Sequence, residues 1–142
     1  MRLRTRHLLA LALTLMLFAT PACSLLKGKE LSERAVTRFH HQFNSGQYVE
    51  IYSQTDEGFR KGSHESEMTA LLGAARRKLG EVKYTSQVKY NLNATTSGAM
   101  VTLAYETEFT DGKATEQFIY HVSGDSARLY RYDIASPLLV IR

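Results

Sequence analysis

The sequence predicts an α+β domain in which three N-terminal helices precede a curved, four-stranded antiparallel meander sheet. Apolar residues recur at helical spacing between positions 31 and 79, and from position 82 onward they alternate with polar residues. The pair Asp111-Gly112 adds a tight hairpin between two of the alternating stretches. The chain has 142 residues, which suits one domain behind a short N-terminal segment.

The first helix is predicted from one apolar stripe. Ser32 is its candidate N-cap, and Asn44-Ser45-Gly46 is a stop signal. Because apolar side chains four residues apart share a helix face, this stripe should pack on the sheet. Its members are Leu31, Ala35, Phe39 and Phe43, with Val36 beside them.

Two further helices follow. A short one covers residues 48–52 and ends in the polar stretch 53–57. The next has Ser63 as a candidate N-cap, acidic residues in its first turn, and Gly80 at its end. Its predicted buried stripe is Met68, Leu71, Leu72, Ala75 and Leu79.

The first two strands show one apolar face each, because apolar residues take every second position. Those in the first are Val82, Tyr84, Val88, Tyr90 and Leu92, and those in the second are Val101, Leu103, Tyr105 and Phe109. A two-residue turn at Asp111-Gly112 predicts the pairs Phe109–Ala114, Tyr105–Phe118, Leu103–Tyr120 and Val101–Val122.

The last strand changes parity. Ala127 and Leu129 share one face by spacing, while Tyr132 and Ile134 belong to the other. A β-bulge near Tyr130-Arg131 would turn both pairs toward the core, because it inserts one extra residue into the strand. Continuous pairing along the strand would contradict this prediction.

The N-terminal segment has the layout of a secretory signal peptide. Residues 1–7 are basic, and Leu8–Thr20 is an apolar run without charge. A membrane-spanning helix needs roughly 20 apolar residues, and Pro21 ends this run too early. The alternative, a buried core helix, would leave an apolar circumference beside arginine-rich flanks. We therefore expect an exported protein.

The stretch TPAC, residues 20–23, resembles the lipobox of bacterial lipoproteins. The resemblance implies cleavage after Ala22 and acylation of Cys23, which holds the protein to a membrane. Cys23 is the single cysteine, so no intramolecular disulfide competes for it. In Gram-negative lipoproteins a residue such as Ser24 after the cysteine favours the outer membrane, at its periplasmic face.

This interpretation divides the chain into a signal peptide (1–22), a lipidated cysteine with a tether (23–29) and an α+β domain (30–142). The formal charge of +4 includes Arg2, Arg4 and Arg6. Without these three, 15 basic residues face 14 acidic ones (18 − 3 against 14). We expect no nucleic-acid partner, because such binding needs a concentrated basic surface.

The mature part is similar to small exported domains of the cystatin-like or nuclear-transport-factor-two-like superfamily. The similarity lies in FNSGQYVEIYSQTDEGF (43–59), Leu79-Gly80 and LYRYDIAS (129–136). Larger members have a strand pair between their second and third helices, but residues 53–62 are too short and polar to form one. The compact cystatin-like form is therefore favoured. Some members, such as ketosteroid isomerase, are enzymes that use a base with a Tyr and a protonated Asp in an apolar site, although fold alone does not carry activity over.

A set of aromatic residues on the predicted inner face could line a pocket between helices and sheet. The same rings could instead simply fill the core. By spacing, Glu116 is the one acidic residue on the inner face of the second and third strands, and it is not a convincing base near the sheet's end. The candidate pocket residues are Phe39, Tyr48, Tyr52, Tyr105, Phe118, Tyr120 and Tyr132.

No metal or cofactor motif is found in the sequence. His40 and His41 are adjacent, so on a helix they point about 100 degrees apart. His121 has the parity of the outer sheet face. We expect no cofactor. Two functions stay open: a non-enzymatic binding or adaptor module at the membrane, with an unknown protein or small-molecule ligand, or a small-molecule enzyme or carrier using the aromatic pocket.

Overall fold

A computed structural model describes the backbone of residues 21–140 and the side chains of residues 26–140. Residues 1–20 of the predicted signal peptide lie outside the described residues. The described part contains five helices and four strands. They are α1 (Pro21–Asn44), α2 (Tyr48–Ser53), α3 (Glu57–Gly62), α4 (Glu65–Leu79), β1 (Val82–Thr95), β2 (Gly98–Phe109), β3 (Lys113–Ser123), β4 (Ser126–Ala135) and α5 (Pro137–Val140).

The strands form one open antiparallel sheet in the order β1-β2-β3-β4. Helix α1 lies across the sheet and contacts all four strands, and α4 packs against α1 and α2. The core lies between these layers and contains Phe43, Leu72 and Phe118. The α+β class and the antiparallel meander are therefore confirmed. No helix within residues 21–140 is long and apolar enough to cross a membrane.

Four helices precede the sheet in the described chain, not the predicted three. The additional helix α3 is short and has no apolar stripe. It begins because the Asp56 side chain accepts a hydrogen bond from the Gly58 N–H at 2.8 Å, which caps the first turn. Because a helix this short is marginal alone, the cap and the contacts with β4 stabilise it together.

Helix α1 begins earlier than predicted. It contains the expected tether, residues 24–29, and Ser32 is buried in its middle instead of capping its start. The Ser32 hydroxyl donates to the Gly28 carbonyl at 2.9 Å, which satisfies it inside the helix. A Cβ on Gly28 would meet the Leu92 side chain at 3.6 Å, so α1 already packs on the sheet there.

Helix α4 matches its predicted range within two residues. Its N-cap is His64, not Ser63, because the Glu67 carboxylate accepts the His64 N–H at 3.0 Å. Gly80 ends the helix with φ of 83°, as predicted. Leu71 is 42% exposed, so it lies outside the buried stripe.

The β2–β3 register differs from the prediction by two residues. Leu103 pairs with Phe118 and Val101 with Tyr120. The Phe109 N–H donates to the Gly112 carbonyl at 2.8 Å, so the turn residues are Thr110 and Asp111 instead of Asp111 and Gly112. The turn is held there because the Thr110 and Asp111 N–H groups donate to the carbonyls of Glu81 and Leu79, each at 2.8 Å. A shift of two keeps every side chain on its predicted face.

The two edge strands, β1 and β4, compare differently with the prediction. The bulge predicted in β4 is confirmed, since Tyr120 pairs with Leu129 and Ile119 with Arg131, leaving Tyr130 as the extra residue. In β1, two register shifts break the predicted alternation. As a result Tyr84 and Val88 are 67% and 53% exposed instead of buried.

Candidate functional site

The predicted pocket residues form an aromatic cluster in the core. Phe39, Tyr105, Phe118, Tyr120 and Tyr132 are all at most 8% exposed. The Phe118 ring centroid lies 5.1 Å from those of Phe39 and Tyr132, within the usual range for aromatic pairs. Tyr48 and Tyr52 are partly buried against the edge of this cluster, from α2.

Little free space remains among these rings. A void bordered by Phe39 and Tyr120 measures about 20 Å³, which is room for about one water molecule. The described interior between helices and sheet is therefore filled mainly by the side chains that were candidates to line a pocket.

One carboxylate is buried inside this core. Glu116 is 1% exposed and accepts three hydrogen bonds from other elements. His40 Nε2 on α1 lies 2.8 Å from its Oε2, and the Thr107 hydroxyl donates to the same oxygen at 2.5 Å. The Tyr132 hydroxyl donates to Oε1 at 2.7 Å. We call these four residues the inner chain.

The partners keep Glu116 ionised. Burial acts to raise the pKa of the Glu116 carboxyl. The hydrogen bond and charge attraction from His40, and the hydrogen bonds from the Thr107 and Tyr132 hydroxyls, lower the pKa by more. The pKa of Glu116 therefore lies below its ordinary value. Burial, reinforced by the Glu116 charge, raises the pKa of Tyr132 well above its ordinary range, so this phenol stays a donor.

The inner chain joins α1 to β2, β3 and β4. Both oxygens of Glu116 are used, and no buried side-chain nitrogen or oxygen in the described part lacks a partner. A general base must reach the proton that it abstracts. Glu116 is buried and held by side chains from three other elements, so the arrangement is suited to holding the layers together.

An open apolar groove lies beside the core, between α3, α4 and β4. It measures about 350 Å³, and Tyr132 forms part of its wall while the Tyr132 hydroxyl reaches Glu116. Leu71 and Tyr130 are 42% and 44% exposed at this surface. We call it the α4 groove. Its other lining residues are Gly58, Phe59, Gly62, Ser63, Glu67, Met68 and Arg131.

A second depression of about 440 Å³ lies on the outer face of the sheet. Tyr84, Glu106 and Lys113 line it. Charged side chains of both signs and a largely exposed Tyr84 give it the character of a solvated face.

A second polar chain occupies the outer face near the β1–β2 turn. His121 Nδ1 lies 3.0 Å from Asp56 Oδ2, and His121 Nε2 lies 3.3 Å from the Ser97 hydroxyl oxygen. Ser97 is exposed, while the His121 and Asp56 side chains are 23% and 16% exposed. We call these three residues the outer chain.

The outer chain was missed by sequence reasoning. His121 was placed correctly on the outer face, and the meander brings the β1–β2 turn beside the end of β3, so a signal for Ser97 existed. Asp56 gave none. It reaches the sheet because Thr55 pairs with Leu129 at the edge of β4 and the Asp56 N–H donates to the Leu129 carbonyl at 2.8 Å.

The remaining residues singled out from the sequence are Cys23 and the adjacent histidines His40 and His41. Cys23 lies in the first turn of α1, and its side chain is outside the described ones. Within the described residues no group of three His, Cys, Asp or Glu side chains could hold a metal ion. His41 is exposed at the end of α1, apart from the buried His40.

Comparison with known families gives a match over most of the chain. The family model described as a protein of unknown function (DUF4019) matches residues 35–132. The chain belongs to this family. The matched segment runs from the middle of α1 to Tyr132. It contains all residues of the inner chain and the outer chain and most of the α4 groove. No curated protein matches the sequence.

Proposed function

We propose that this DUF4019 protein is an exported lipoprotein, held to a bacterial membrane by acyl chains on Cys23, whose domain is a binding or adaptor module that does not react with the ligand it holds. Its binding surface is the α4 groove, and its ligand is an apolar group such as an aromatic side chain of an envelope protein. In a Gram-negative cell, Ser24 after the lipidated cysteine favours the periplasmic face of the outer membrane.

The open α4 groove carries this proposal. Ligand pockets measure roughly 300–1,000 Å³ and are mainly apolar, and the groove lies at the small end of that range. Leu71 and Tyr130 are exposed where burial by a ligand would remove apolar surface from water. The few residues that dominate binding energy are often aromatic and cluster at the well-packed centre of a binding surface.

The fold supports a compact cystatin-like module. Helices on one face of a four-stranded antiparallel meander are what that superfamily resemblance implies, and the bulge at Tyr130 supplies curvature. The absence of a strand pair between α2 and α4 also suits the compact form, since α3 occupies that segment.

The isomerase-like alternative finds no support in the inner face. An isomerase needs a carboxylate with a tuned pKa at a substrate cavity. Here the Glu116 carboxylate is buried and accepts hydrogen bonds from His40, Thr107 and Tyr132.

Photo-crosslinking in intact cells tests the groove. A benzophenone amino acid replaces Leu71 in the groove or, as a matched control, Val49, which is 52% exposed on α2. We expect an adduct of higher mass from position 71 and none from position 49. Equal adducts at both positions, or none at position 71, would remove the groove from the proposal.

Substitution of the anchor tests the lipoprotein assignment separately. Cys23→Ser removes the acylated atom, so the protein should move from the membrane fraction to the soluble fraction. Mass spectrometry of the wild type should show a chain beginning at residue 23 and carrying acyl groups. A wild-type chain with an unmodified Cys23 would overturn the assignment.

A further inference from the structure

The outer chain has the order of groups that activates a serine. A carboxylate, an imidazole and a hydroxyl follow one another through contacts of 3.0 Å and 3.3 Å, using the two different nitrogens of the ring. A nucleophile within reach of a base, which is itself oriented by a third group, is the general signature of covalent catalysis. Triads of this kind are recognised by geometry and not by sequence order.

Asp56 sets the tautomer of the ring. An ionised carboxylate only accepts hydrogen bonds, so His121 must place a proton on Nδ1. In the neutral ring, Nε2 then has a free lone pair that faces the Ser97 hydroxyl. The imidazole is therefore held in the form that removes a proton from serine.

The charge on Asp56 has its own support. Its Oδ1 accepts the Gly58 N–H at 2.8 Å, while Oδ2 faces His121. Burial acts to raise the pKa of Asp56, but the hydrogen bonds of His121 and Gly58 and the attraction of Arg60 outweigh it, so the pKa falls below its ordinary value. The capping role in α3 thus also fixes the carboxylate beside His121.

Gly98 lets the turn approach β3. Its φ of 141° lies in the region that favours glycine. A Cβ at this position would overlap the backbone carbonyl of Val122, the neighbour of His121. The turn can therefore press against β3, which brings the Ser97 hydroxyl to Nε2.

We propose that Ser97 is an activated nucleophile that accepts acyl groups from carboxylic esters. The Ser97 oxygen forms a bond to the ester carbonyl carbon, and its proton passes to His121 Nε2. The bond to the leaving alkoxide breaks, and His121 returns the proton to that oxygen. A water molecule then loses a proton to His121 Nε2 while its oxygen forms a bond to the acyl carbon. The bond between that carbon and the Ser97 oxygen breaks, the carboxylic acid leaves, and His121 returns the proton to Ser97. Asp56 stays ionised throughout.

The position of Ser97 favours the esters of membrane lipids as substrates. This choice of substrate class rests on the proposed anchor at Cys23. Lys27, near the start of α1, forms an ion pair with Asp125 in the β3–β4 turn. The β1–β2 turn with Ser97 lies at the same end of the meander. An anchor four residues before Lys27 would bring that end, including the exposed Ser97, to the bilayer surface.

The reactivity of Ser97 can be measured on the full chain in detergent with a fluorophosphonate probe. The adduct should map to Ser97, and Ser97→Ala should abolish it. His121→Gln should slow labelling by about 100-fold or more, because a positioned general base contributes that much. Ser86→Ala, which removes another exposed serine on β1, is the matched control and should leave the rate unchanged.

Asp56→Asn adds a readout on the same chain. The amide can still cap α3 but no longer fixes the ring tautomer, so labelling should slow while circular dichroism stays that of the wild type. Labelling of Ser97 in the wild type no faster than in His121→Gln, or spread over several surface serines, would overturn the proposal.

The substrate class is tested with vesicles of phosphatidylethanolamine and phosphatidylglycerol. The acylated wild type should release fatty acid, and Ser97→Ala should not. Hydrolysis of soluble p-nitrophenyl acetate without release from vesicles would overturn the lipid assignment while leaving the reactive serine. Cys23→Ser separates the anchor, because it should lose vesicle activity but keep probe labelling in detergent.

Discussion

The two faces of the sheet carry two chains of the same chemical parts. The inner chain joins His40 to Glu116 and the outer chain joins His121 to Asp56, and each ends in hydroxyl groups. Glu116 is 1% exposed, whereas Ser97 at the end of the outer chain is exposed. The comparison teaches that solvent access, and not the set of residues, separates a structural chain from a reactive one.

The two chains also differ in whether their end groups are already enclosed by hydrogen-bond partners. Each oxygen of Glu116 already accepts hydrogen bonds from buried partners. Breaking a buried network leaves its members unpaired, which is costly. In the outer chain the last group faces solvent, so a substrate can reach it without disturbing the fold. The following variants test this contrast in order of expected effect.

Glu116→Ala should produce the largest loss. It leaves a buried histidine and two hydroxyls without their common partner, and breaking a buried charge pair costs about 3–5 kcal/mol. Urea unfolding followed by circular dichroism measures the free energy of unfolding. Glu106→Ala, an exposed glutamate on β2, is the control and should cost less than about 0.5 kcal/mol. Equal costs would show that the inner chain is not structural.

Tyr132→Phe should have a smaller effect, because it removes one of three donors to Glu116 and keeps the ring in the aromatic cluster. A hydrogen bond to a charged group contributes about 1.5–3 kcal/mol. Tyr130→Phe, which alters the exposed phenol of the bulge residue, is the control in the same unfolding measurement. A neutral Tyr132→Phe would mean that Oε1 finds another donor.

Acid should weaken the fold through the inner chain. The pKa of Glu116 is lower in the folded state than its ordinary value of 4.5. Its stabilisation is therefore complete above pH 4.5 and is lost as the pH falls through the folded-state pKa. Unfolding free energies measured from pH 6 down to 3 should decline less in Glu116→Gln than in the wild type. Glu106→Gln should follow the wild type, and a parallel decline in all three would contradict the assignment.

His121→Gln should have the smallest effect on stability. Its contacts lie partly in solvent, so we expect a loss of about 1 kcal/mol. The same variant should lose most of the Ser97 labelling described above. His40→Gln sharpens the comparison, since it should destabilise the protein more while leaving the labelling rate unchanged. A large stability loss in His121→Gln with unchanged labelling would reverse the roles of the two chains.

Spacing alone predicted much of the fold. The parity change between Leu129 and Tyr132 located the β4 bulge, and the period-two pattern placed Glu116 inside and His121 outside. Parity survives a register error of two residues, which is why the wrong β2–β3 register did not misplace these side chains.

Long-range contacts explain what the sequence could not show. The β2–β3 connection is fixed by hydrogen bonds to Glu81 and Leu79, and α3 begins at a cap that also reaches β3. The partnership of Asp56 with His121 spans 65 positions and has no local pattern. The candidate functional residues thus depend on contacts between distant positions, which the spacing of residues along the sequence does not predict.

The uninterrupted helix α1 has a mechanical consequence for an anchored protein. Its 24 residues make a rod of about 36 Å. A flexible linker would let the domain tumble, but a rod that is packed along the sheet turns with the domain as one body. An acyl group near its first turn would therefore restrict the angle of the domain as well as its height above the lipid. The domain would meet its partners by lateral diffusion, with the same end always toward the bilayer.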